Sequence, residues 1–162
     1  MITDTRAFTL LLAAGGSLAL LLGAFAFQYI GGLAPCQLCL WQRWPHAAAI
    51  LIGGLALLVT RGTISRLLPL LGALAALATA AIGAFHVGVE QTWWAGLPSC
   101  TAGSISGIST ADLLNPDVTV GAVVRCDEVA WAMFGISMAG WNVILSALLA
   151  LLWVSAYRRS VR

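Results

Sequence analysis

The chain of 162 residues is 60% hydrophobic and only 9% charged, with a mean hydropathy of +0.95. About a quarter of the residues are charged in an ordinary soluble domain, so this composition excludes that class of protein. The net charge of +2 is small and spread along the chain, and no basic cluster indicates a nucleic-acid partner. The length predicts a single domain.

Four apolar segments predict membrane-spanning helices, which need about 20 apolar residues each. They cover approximately residues 8–30, 44–60, 67–89 and 134–156. The predicted fold is therefore an all-α membrane protein, with one domain over residues 1–162 formed by a four-transmembrane-helix bundle. A short outer loop over about residues 31–43 and a long one over about residues 90–130 complete the prediction.

The arginines predict the orientation in the membrane. Six of the eight basic residues, all arginines, lie near the termini or in the connection over residues 61–66: Arg6, Arg61, Arg66, Arg158, Arg159 and Arg162. Basic residues accumulate on the cytoplasmic side of membrane proteins. We therefore predict a bacterial inner-membrane protein with both termini in the cytoplasm and both outer loops, with their cysteines, in the periplasm.

The third apolar segment carries a small residue at every fourth position. These residues are Gly72, Ala76, Ala80, Ala84 and Gly88. A stripe of small residues allows helices to approach closely in lipid. We interpret the stripe as a packing seam of the bundle rather than as alanine-rich filler.

Two of the four cysteines, Cys36 and Cys39, form a Cys-Gln-Leu-Cys motif in the first outer loop. This spacing allows a small disulfide ring, and a helix that begins near Cys36 would favour a thiolate through its N-terminal dipole. Arg43 follows Cys39 by one helical turn, so its guanidinium can stabilise a thiolate or the oxyanion of a reduced quinone. We interpret the pair as redox-active; the alternative is a structural disulfide, with Arg43 contacting lipid phosphate.

The second pair, Cys100 and Cys126, flanks the Ser-, Thr- and Gly-rich part of the long outer loop. An oxidising compartment favours disulfides over reduced thiols. A structural disulfide here would close a loop of about 27 residues and contribute roughly 3–4 kcal/mol in the chain-entropy model. A mobile loop could instead carry one cysteine to the first pair, so both roles stay open at this point.

His86 and Glu90 lie one helical turn apart at the outer end of the third segment. Ionisable residues near a membrane core are functional candidates, and His86 could hydrogen-bond a quinone carbonyl or pass a proton. The alternative is an interfacial histidine that forms its hydrogen bonds with water.

His46 lies at a similar depth, so a bis-histidine haem is conceivable, and the cysteines plus a histidine could hold a metal ion. The oxidising side disfavours a metal site, and none is predicted. Asn142 is interpreted as a bridge between helices.

Three stretches of the sequence carry a resemblance to a known family. The segment Pro35–Arg43, which reads Pro-Cys-Gln-Leu-Cys-Leu-Trp-Gln-Arg, resembles the signature of the DsbB family, bacterial membrane proteins that generate disulfides for the periplasmic oxidant DsbA. His86–Glu90 resembles the end of the family's third helix, although some members have glutamine at the position of Glu90. Cys126–Glu128 and the later segment Phe134–Asn142 are similar to alphaproteobacterial members. The resemblance covers nearly the whole chain.

The resemblance implies a protein-dithiol:quinone oxidoreductase. A reduced DsbA-like partner with a thioredoxin fold would attack Cys100 of a disulfide between Cys100 and Cys126. Cys126 would then attack Cys36 and leave Cys39 as a thiolate facing the quinone, either ubiquinone or menaquinone. The residues that the resemblance assigns to catalysis are Cys36, Cys39, Cys100 and Cys126, and those assigned to quinone binding are Cys39, Arg43, His86 and Glu90.

Two other functions are the alternatives to this interpretation. A quinone reductase of the vitamin K epoxide reductase type also has a four-helix bundle, a Cys-x-x-Cys motif and a loop pair. In that family the loop pair precedes the motif, whereas here Cys100 and Cys126 follow it, which favours the DsbB type. The alternative outside enzymes is a membrane scaffold with two structural disulfides.

Overall fold

The computed structural model describes residues 2–98 and 124–161 of the chain. Four helices make up most of this part: α1 (Ile2–Tyr29), α2 (Gln37–Leu58), α3 (Gly62–Glu90) and α4 (Met138–Val161). A short antiparallel hairpin of β1 (Ala132–Met133) and β2 (Ile136–Ser137) precedes α4. Among the described residues the protein is therefore a helical bundle with a small hairpin at one end.

Three of the four helices in the described part are long and apolar enough to cross a membrane. Their spans are Thr5–Tyr29 in α1, Gly62–Glu90 in α3 and Met138–Ser160 in α4. This finding supports the predicted helical membrane protein, but it does not confirm four spans. The exception is α2, whose first half carries Gln37, Gln42, Arg43 and His46 among its apolar residues.

All four helices begin at residues other than the starts of the predicted spans, and the differences at α2 and α4 have a local cause. Helix α2 begins at Gln37 rather than near residue 44, because Cys36 caps it: the sulfur accepts a hydrogen bond from the Cys39 N–H at 3.2 Å. Helix α4 begins at Met138 rather than near residue 134, because the hairpin precedes it. Phe134 and Gly135 at the hairpin turn have φ of 54° and 77°, the left-handed values that two-residue hairpin turns require.

The helices pack in a ring, in which α1 contacts α2 and α4, and α3 contacts the same two helices. Short connections join α1 to α2 and α2 to α3, so successive helices run antiparallel. The Arg6 guanidinium donates to the backbone oxygen of Ser65 at 3.0 Å, which holds the N-terminal part of α1 beside the start of α3. The Cys36–Cys39 motif lies at the opposite end of the bundle, which we call the outer end.

The end away from the cysteines has an apolar interior, which we call the inner core. Trp153 is fully buried at its centre. A Cβ atom added at Gly72 would collide with the Trp153 indole, and one added at Gly53 would collide with Ala14 of α1. These glycines are therefore needed for the close approach of the helices. The buried members of the inner core are Leu10, Ala13, Ala49, Ala56, Leu68, Ala73, Ala76, Leu149, Ala150, Trp153 and Ala156.

The predicted seam of small residues on α3 is correct except at Ala84. Gly72, Ala76, Ala80 and Gly88 are buried, whereas Ala84 is exposed. A repeat of four residues drifts by about 40° per step on a helix with 3.6 residues per turn. The contact with α4 therefore moves to Gly83, which lies against Asn142, while Gly88 makes room for Trp94.

Candidate functional site

A cavity of about 420 Å³, which we call the outer cavity, opens between the outer ends of the four helices and the segment before α4. Most of its lining is apolar, with Phe27, Trp131 and Trp141 among the larger side chains. The polar and thiol side chains that also line it are Cys36, Cys39, Gln42, Arg43, His46, His86, Glu90, Arg125, Glu128 and Asn142. The structure thus brings five of the predicted site residues, together with five further polar side chains, to one cavity.

Cys36 and Cys39 lie side by side at the start of α2. Both are free thiols in the structure, and their sulfur atoms are 2.8 Å apart. Cys36 is buried, whereas Cys39 is partly exposed. The position at a helix N-terminus favours negative charge on either sulfur, and the short separation suits the making and breaking of a bond between them.

His86 links the cysteine motif to the interior of the bundle. Its Nε2 lies 3.6 Å from the Cys36 sulfur, and its Nδ1 lies 3.1 Å from Nε2 of Gln42. The same Gln42 nitrogen donates to the carbonyl oxygen of Leu38 at 3.1 Å, which can only accept. Gln42 is therefore the donor to Nδ1 of His86. In the neutral imidazole the proton is then on Nε2 and faces the Cys36 sulfur.

Asn142 continues these hydrogen bonds across the bundle to α4. Its Nδ2 donates to Oε1 of Gln42 at 2.7 Å and to the backbone oxygen of Thr79 at 3.3 Å. Its Oδ1 accepts from the Ser146 hydroxyl at 3.2 Å and lies 2.9 Å from Nε2 of His46. The Thr79 hydroxyl donates to the backbone oxygen of Gln42 at 3.1 Å. We call these residues, with His86, the polar network.

Sequence reasoning found only part of the polar network. The interpretation of Asn142 as a bridge between helices is confirmed, since it joins α4 to α2 and α3. No role was predicted for Gln42 or Thr79. The available signal was that a polar side chain buried in an apolar helical segment needs a hydrogen-bond partner.

Arg43 faces α1 from the wall of the outer cavity. Its guanidinium donates to Oε1 of Gln28 at 2.6 Å and to the backbone oxygen of Ala24 at 3.4 Å. It also lies 4.9 Å from the centre of the Phe25 ring. Its Nε is buried and has no hydrogen-bond partner among the described residues. The cation is thus held in place at the cavity wall.

Glu90 joins α3 to the hairpin. Its Oε2 accepts a hydrogen bond from the Ser137 hydroxyl at 2.5 Å, and its Oε1 lies 3.9 Å from Nε2 of His86. The Ser137 oxygen in turn accepts from the N–H of Gly140 at 3.1 Å. Glu90 therefore lines the cavity and also fixes the segment that leads into α4.

Cys126 reaches the same region from the far side of the long loop. It is disulfide-bonded and fully buried, and it packs in one cluster with Cys36 and Val89. Its backbone is also within hydrogen-bonding reach of His86. Cys100 lies outside the described residues, as does the part of the loop over residues 99–123. The structure thus brings together three of the four predicted catalytic cysteines.

The two cysteines and the two histidines of this region are also candidate metal or haem ligands. The two sulfurs and a nitrogen of His86 lie within 4.8 Å of one another. Two thiolates on one tetrahedral Zn²⁺, with bonds of about 2.3 Å, lie roughly 3.8 Å apart, so the separation of 2.8 Å between Cys36 and Cys39 does not suit a shared ion. Haem ligation by His46 and His86 would compete with the hydrogen bonds to Asn142 and Gln42.

An exposed ion pair lies at the rim, beside Cys126. Arg125 donates to both carboxylate oxygens of Asp127, at 2.9 Å and 2.5 Å. These hydrogen bonds, and to a smaller extent the attraction between the two charges, lower the pKa of Asp127 and raise the pKa of Arg125. Solvent screens such a pair, so it adds little to stability.

Comparisons with known proteins were made for the whole chain. A family model described as "Disulfide bond formation protein DsbB" matches residues 6–156. The chain is similar to three proteins named "Disulfide bond formation protein B". That of Methylococcus capsulatus is 32% identical over 86% of this chain and 89% of its own length. That of Verminephrobacter eiseniae is 34% identical over 89% of this chain and 81% of its own length. That of Pasteurella multocida is 33% identical over 88% of this chain and 84% of its own length. No solved structure matches the chain.

Proposed function

Because the chain belongs to the DsbB family of disulfide bond formation proteins, we propose that it oxidises a periplasmic DsbA-like thiol oxidoreductase and passes the electrons to a membrane quinone. Family membership and the apolar helices give the coarser statement, a membrane oxidoreductase that acts in disulfide formation. The observation that carries the finer proposal is the position of the Cys36–Cys39 pair, which lies at the wall of an apolar cavity and packs against Cys126.

In the proposed relay, a thiolate of the partner attacks Cys100 and breaks a bond between Cys100 and Cys126. The freed sulfur of Cys126 attacks Cys36 of a Cys36–Cys39 disulfide, and Cys39 leaves as a thiolate. The packing of Cys126 against Cys36 supports this second exchange. The partner's other thiol then closes the partner's own disulfide and releases Cys100. Cys100 attacks Cys126, re-forms the Cys100–Cys126 bond and breaks the bond between Cys126 and Cys36, so Cys36 leaves as a thiolate. The two electrons from the partner are now held by Cys36 and Cys39.

Three groups of the chain would stabilise charge during this exchange. The N–H of His86 faces the Cys36 sulfur, and the N-terminus of α2 favours negative charge on both sulfurs. Arg43 brings a fixed cation to the wall that Cys39 also lines. Preorganised donors and cations of this kind act where charge develops. Re-forming the Cys36–Cys39 disulfide releases two electrons and two protons, which a quinone bound in the cavity would accept, and this completes the cycle.

The outer cavity fits a quinone in three respects. Its volume of about 420 Å³ is within the range of about 300–1,000 Å³ typical of small-molecule sites. Its lining is mostly apolar, which suits a ring with an isoprenoid tail. Nε of Arg43 and Nδ1 of His46 are buried, have no partner among the described residues and belong to cavity-lining side chains. Arg43, His86 and Glu90 are the proposed polar contacts. A quinone, when bound, supplies an acceptor for two electrons and two protons.

We further propose that α2 is the fourth membrane span. Its 22 residues extend about 33 Å at 1.5 Å per residue, enough for a hydrocarbon core of about 30 Å. Its polar Gln42 and His46 are buried, whereas Leu51 and Leu55 are exposed on the outside of the bundle. Gln42 and His46 of α2 thus face the protein rather than lipid. Four spans, together with the arginine distribution, support cytoplasmic termini and periplasmic cysteines in an inner membrane.

The test is quinone reduction followed by ultraviolet absorbance. Purified protein is mixed anaerobically with ubiquinone and a reduced thioredoxin-fold dithiol. We expect loss of one quinone for each dithiol oxidised, and no loss with Cys39→Ala. Leu51→Ala is the matched control on the same helix, because this side chain is exposed on the outside of the bundle and should not affect turnover.

A second variant tests the entrance of the relay. We expect Cys100→Ala to abolish exchange with the partner while quinone still binds. Turnover that persists in Cys100→Ala would remove this residue from the relay. No quinone loss with the folded, unsubstituted protein would instead leave the cysteines as structural cross-links and favour the scaffold.

A further inference from the structure

One nitrogen of His46 has no hydrogen-bond partner in the part of the chain that the structure describes, although the side chain is deeply buried. His46 is only 4% exposed and lines the outer cavity. Its Nε2 is hydrogen-bonded to Oδ1 of Asn142 at 2.9 Å, but Nδ1 has no hydrogen-bond partner among the described residues. A buried polar atom without a partner is costly, so this nitrogen marks a place where a ligand atom would be stabilised.

The polar network determines what kind of group this nitrogen is. Nδ2 of Asn142 must be the amide nitrogen, because it faces the backbone oxygen of Thr79, which can only accept. Oδ1 of Asn142 is therefore an acceptor, and Nε2 of His46 is the donor to it. In the neutral imidazole only one nitrogen carries a proton. Nδ1 of His46 thus presents a lone pair and accepts hydrogen bonds.

The opposite orientation of the two amides is excluded by backbone oxygens. If both amides were flipped, Oε1 of Gln42 would face the carbonyl oxygen of Leu38 at 3.1 Å. Likewise, Oδ1 of Asn142 would face the carbonyl oxygen of Thr79 at 3.3 Å. Each flip would exchange a hydrogen bond for a contact between two acceptors. The backbone oxygens of Leu38 and Thr79, which can only accept, therefore determine which groups of the polar network donate and which accept.

We propose that His46 is a ligand-binding residue of the outer cavity, which accepts a hydrogen bond from a hydroxyl of the reduced quinone. This inference rests on the proposed function and deepens it. A carbonyl oxygen of the oxidised quinone brings no hydrogen to the lone pair of Nδ1, whereas a hydroxyl of the hydroquinone does. His46 therefore favours the hydroquinone over the quinone, which makes a quinone bound in the cavity a better electron acceptor.

The two histidines then have opposite roles at the two ends of one network. His86 receives a hydrogen bond from Gln42 and directs its own N–H to the Cys36 sulfur. His46 gives its N–H to Asn142 and keeps a lone pair on Nδ1, which has no partner among the described residues, on a side chain that lines the cavity. The donor faces the sulfur that becomes negative, and the acceptor faces the group that gains protons.

The test compares the binding of the two redox forms. A full-length Cys36→Ala, Cys39→Ala variant, which cannot exchange electrons with the ligand, is titrated anaerobically with a short-chain ubiquinone and with its hydroquinone. Quenching of tryptophan fluorescence reports binding, since Trp131 and Trp141 line the cavity. On adding His46→Leu we expect the ratio of quinone Kd to hydroquinone Kd to fall about 3- to 10-fold, the effect of one hydrogen bond.

Ser146→Ala is the matched control for His46→Leu. Ser146 and His46 each make one hydrogen bond to Oδ1 of Asn142, but only His46 lines the cavity. We expect Ser146→Ala to leave the ratio unchanged. An equal fall in both variants would show that the effect acts through Asn142 and would overturn the proposal. An unchanged ratio in folded His46→Leu would also overturn it.

Failure of the proposed function gives a different result, because the protein with His46 intact would then bind neither redox form. If His46→Leu does not fold, nitrogen NMR of the protein labelled at histidine replaces it. The chain has only two histidines, so His86→Leu assigns the signals. We expect the Nδ1 signal of His46 to shift more on addition of hydroquinone than of quinone, and equal shifts would contradict the proposal.

Discussion

The inner core and the outer cavity are formed by the same four helices but differ in what fills the space between them. At the inner end, Trp153 fills it, and Gly72 allows the indole to approach α3. At the outer end, a polar network and a cavity take the place of such a side chain. The inner core therefore packs the helices tightly, whereas the outer end leaves a space lined by thiols and polar side chains.

Helix α2 shows this difference within one element. Its first half contributes Cys39, Gln42 and His46 to the outer cavity. Its second half contributes Gly53 and Ala56 to close helix contacts and the inner core. Helix α2 therefore has buried polar side chains in its first half, although exposed side chains such as Leu51 and Leu55 are apolar. A hydropathy average cannot separate side chains that face lipid from those that face the site.

The largest expected effect on stability is that of Trp153→Ala in the inner core. Removal of a fully buried indole should lower the free energy of unfolding by about 3–5 kcal/mol. Thermal unfolding in detergent measures this loss. Trp153→Phe is the control and should cost much less, because the indole N–H has no partner among the described residues. We expect quinone binding to be unchanged, because Trp153 lies away from the outer cavity. Weaker quinone binding by the folded Trp153→Ala protein would show that the inner core affects the outer cavity.

The next effect is that of Gln42→Leu in the polar network. It leaves Nδ1 of His86 without its donor and one N–H of Asn142 without its acceptor. We expect a loss of about 1–3 kcal/mol in stability and slower re-formation of the Cys36–Cys39 disulfide. A double-mutant cycle with Asn142→Leu should give a coupling of about 0.5–3 kcal/mol.

The control cycle pairs Gln42→Leu with Ser17→Ala. Ser17 is fully buried in α1, and its hydroxyl has no partner among the described residues. We expect the two changes to be additive. Additivity in the Asn142 cycle as well would show that the hydrogen bonds of the polar network are not coupled.

A smaller effect is expected for Arg43→Ala at the cavity wall. Loss of the cation should raise the apparent KM for quinone by about 10-fold, equivalent to roughly 1.4 kcal/mol. Arg43→Lys should give an intermediate value, because lysine keeps the charge but not the planar contact with Phe25. Steady-state kinetics over a range of quinone concentrations measures both. An unchanged KM in Arg43→Ala would remove this residue from the site.

Much of the molecule could be predicted from the sequence because local signals were strong. The apolar segments predicted α1, α3 and α4. The Cys-x-x-Cys spacing predicted that the sulfurs of Cys36 and Cys39 lie close together, and the redox activity of the pair stays a prediction. The start of α2 was placed too late, because the polar residues after Cys39 resemble a loop when their burial is unknown. Spacing alone could not show that Cys36 caps this helix.

The polar network could not be predicted, because it depends on how the helices are rotated against each other. Gln42 and Asn142 are 100 residues apart and meet only across the bundle. The free nitrogen of His46 likewise becomes visible only when the partners of Asn142 are known. Sequence therefore predicts which groups are unusual in a membrane segment, whereas the structure shows which of them are paired.

The smallest effect on stability and turnover is expected at the rim of the outer end, where the Arg125–Asp127 ion pair is exposed and lies outside the polar network. Arg125 lowers the pKa of Asp127 below its ordinary value of 3.8. The stabilisation is therefore complete above about pH 4 and is lost only as the pH falls through the lower, folded-state pKa. We expect Asp127→Asn and the unsubstituted protein to have the same melting temperature and turnover from pH 5 to 8, because solvent screens the pair. A difference in turnover within that range would show that the charge at Asp127 affects the neighbouring Cys126, and the rim would then belong to the reactive site.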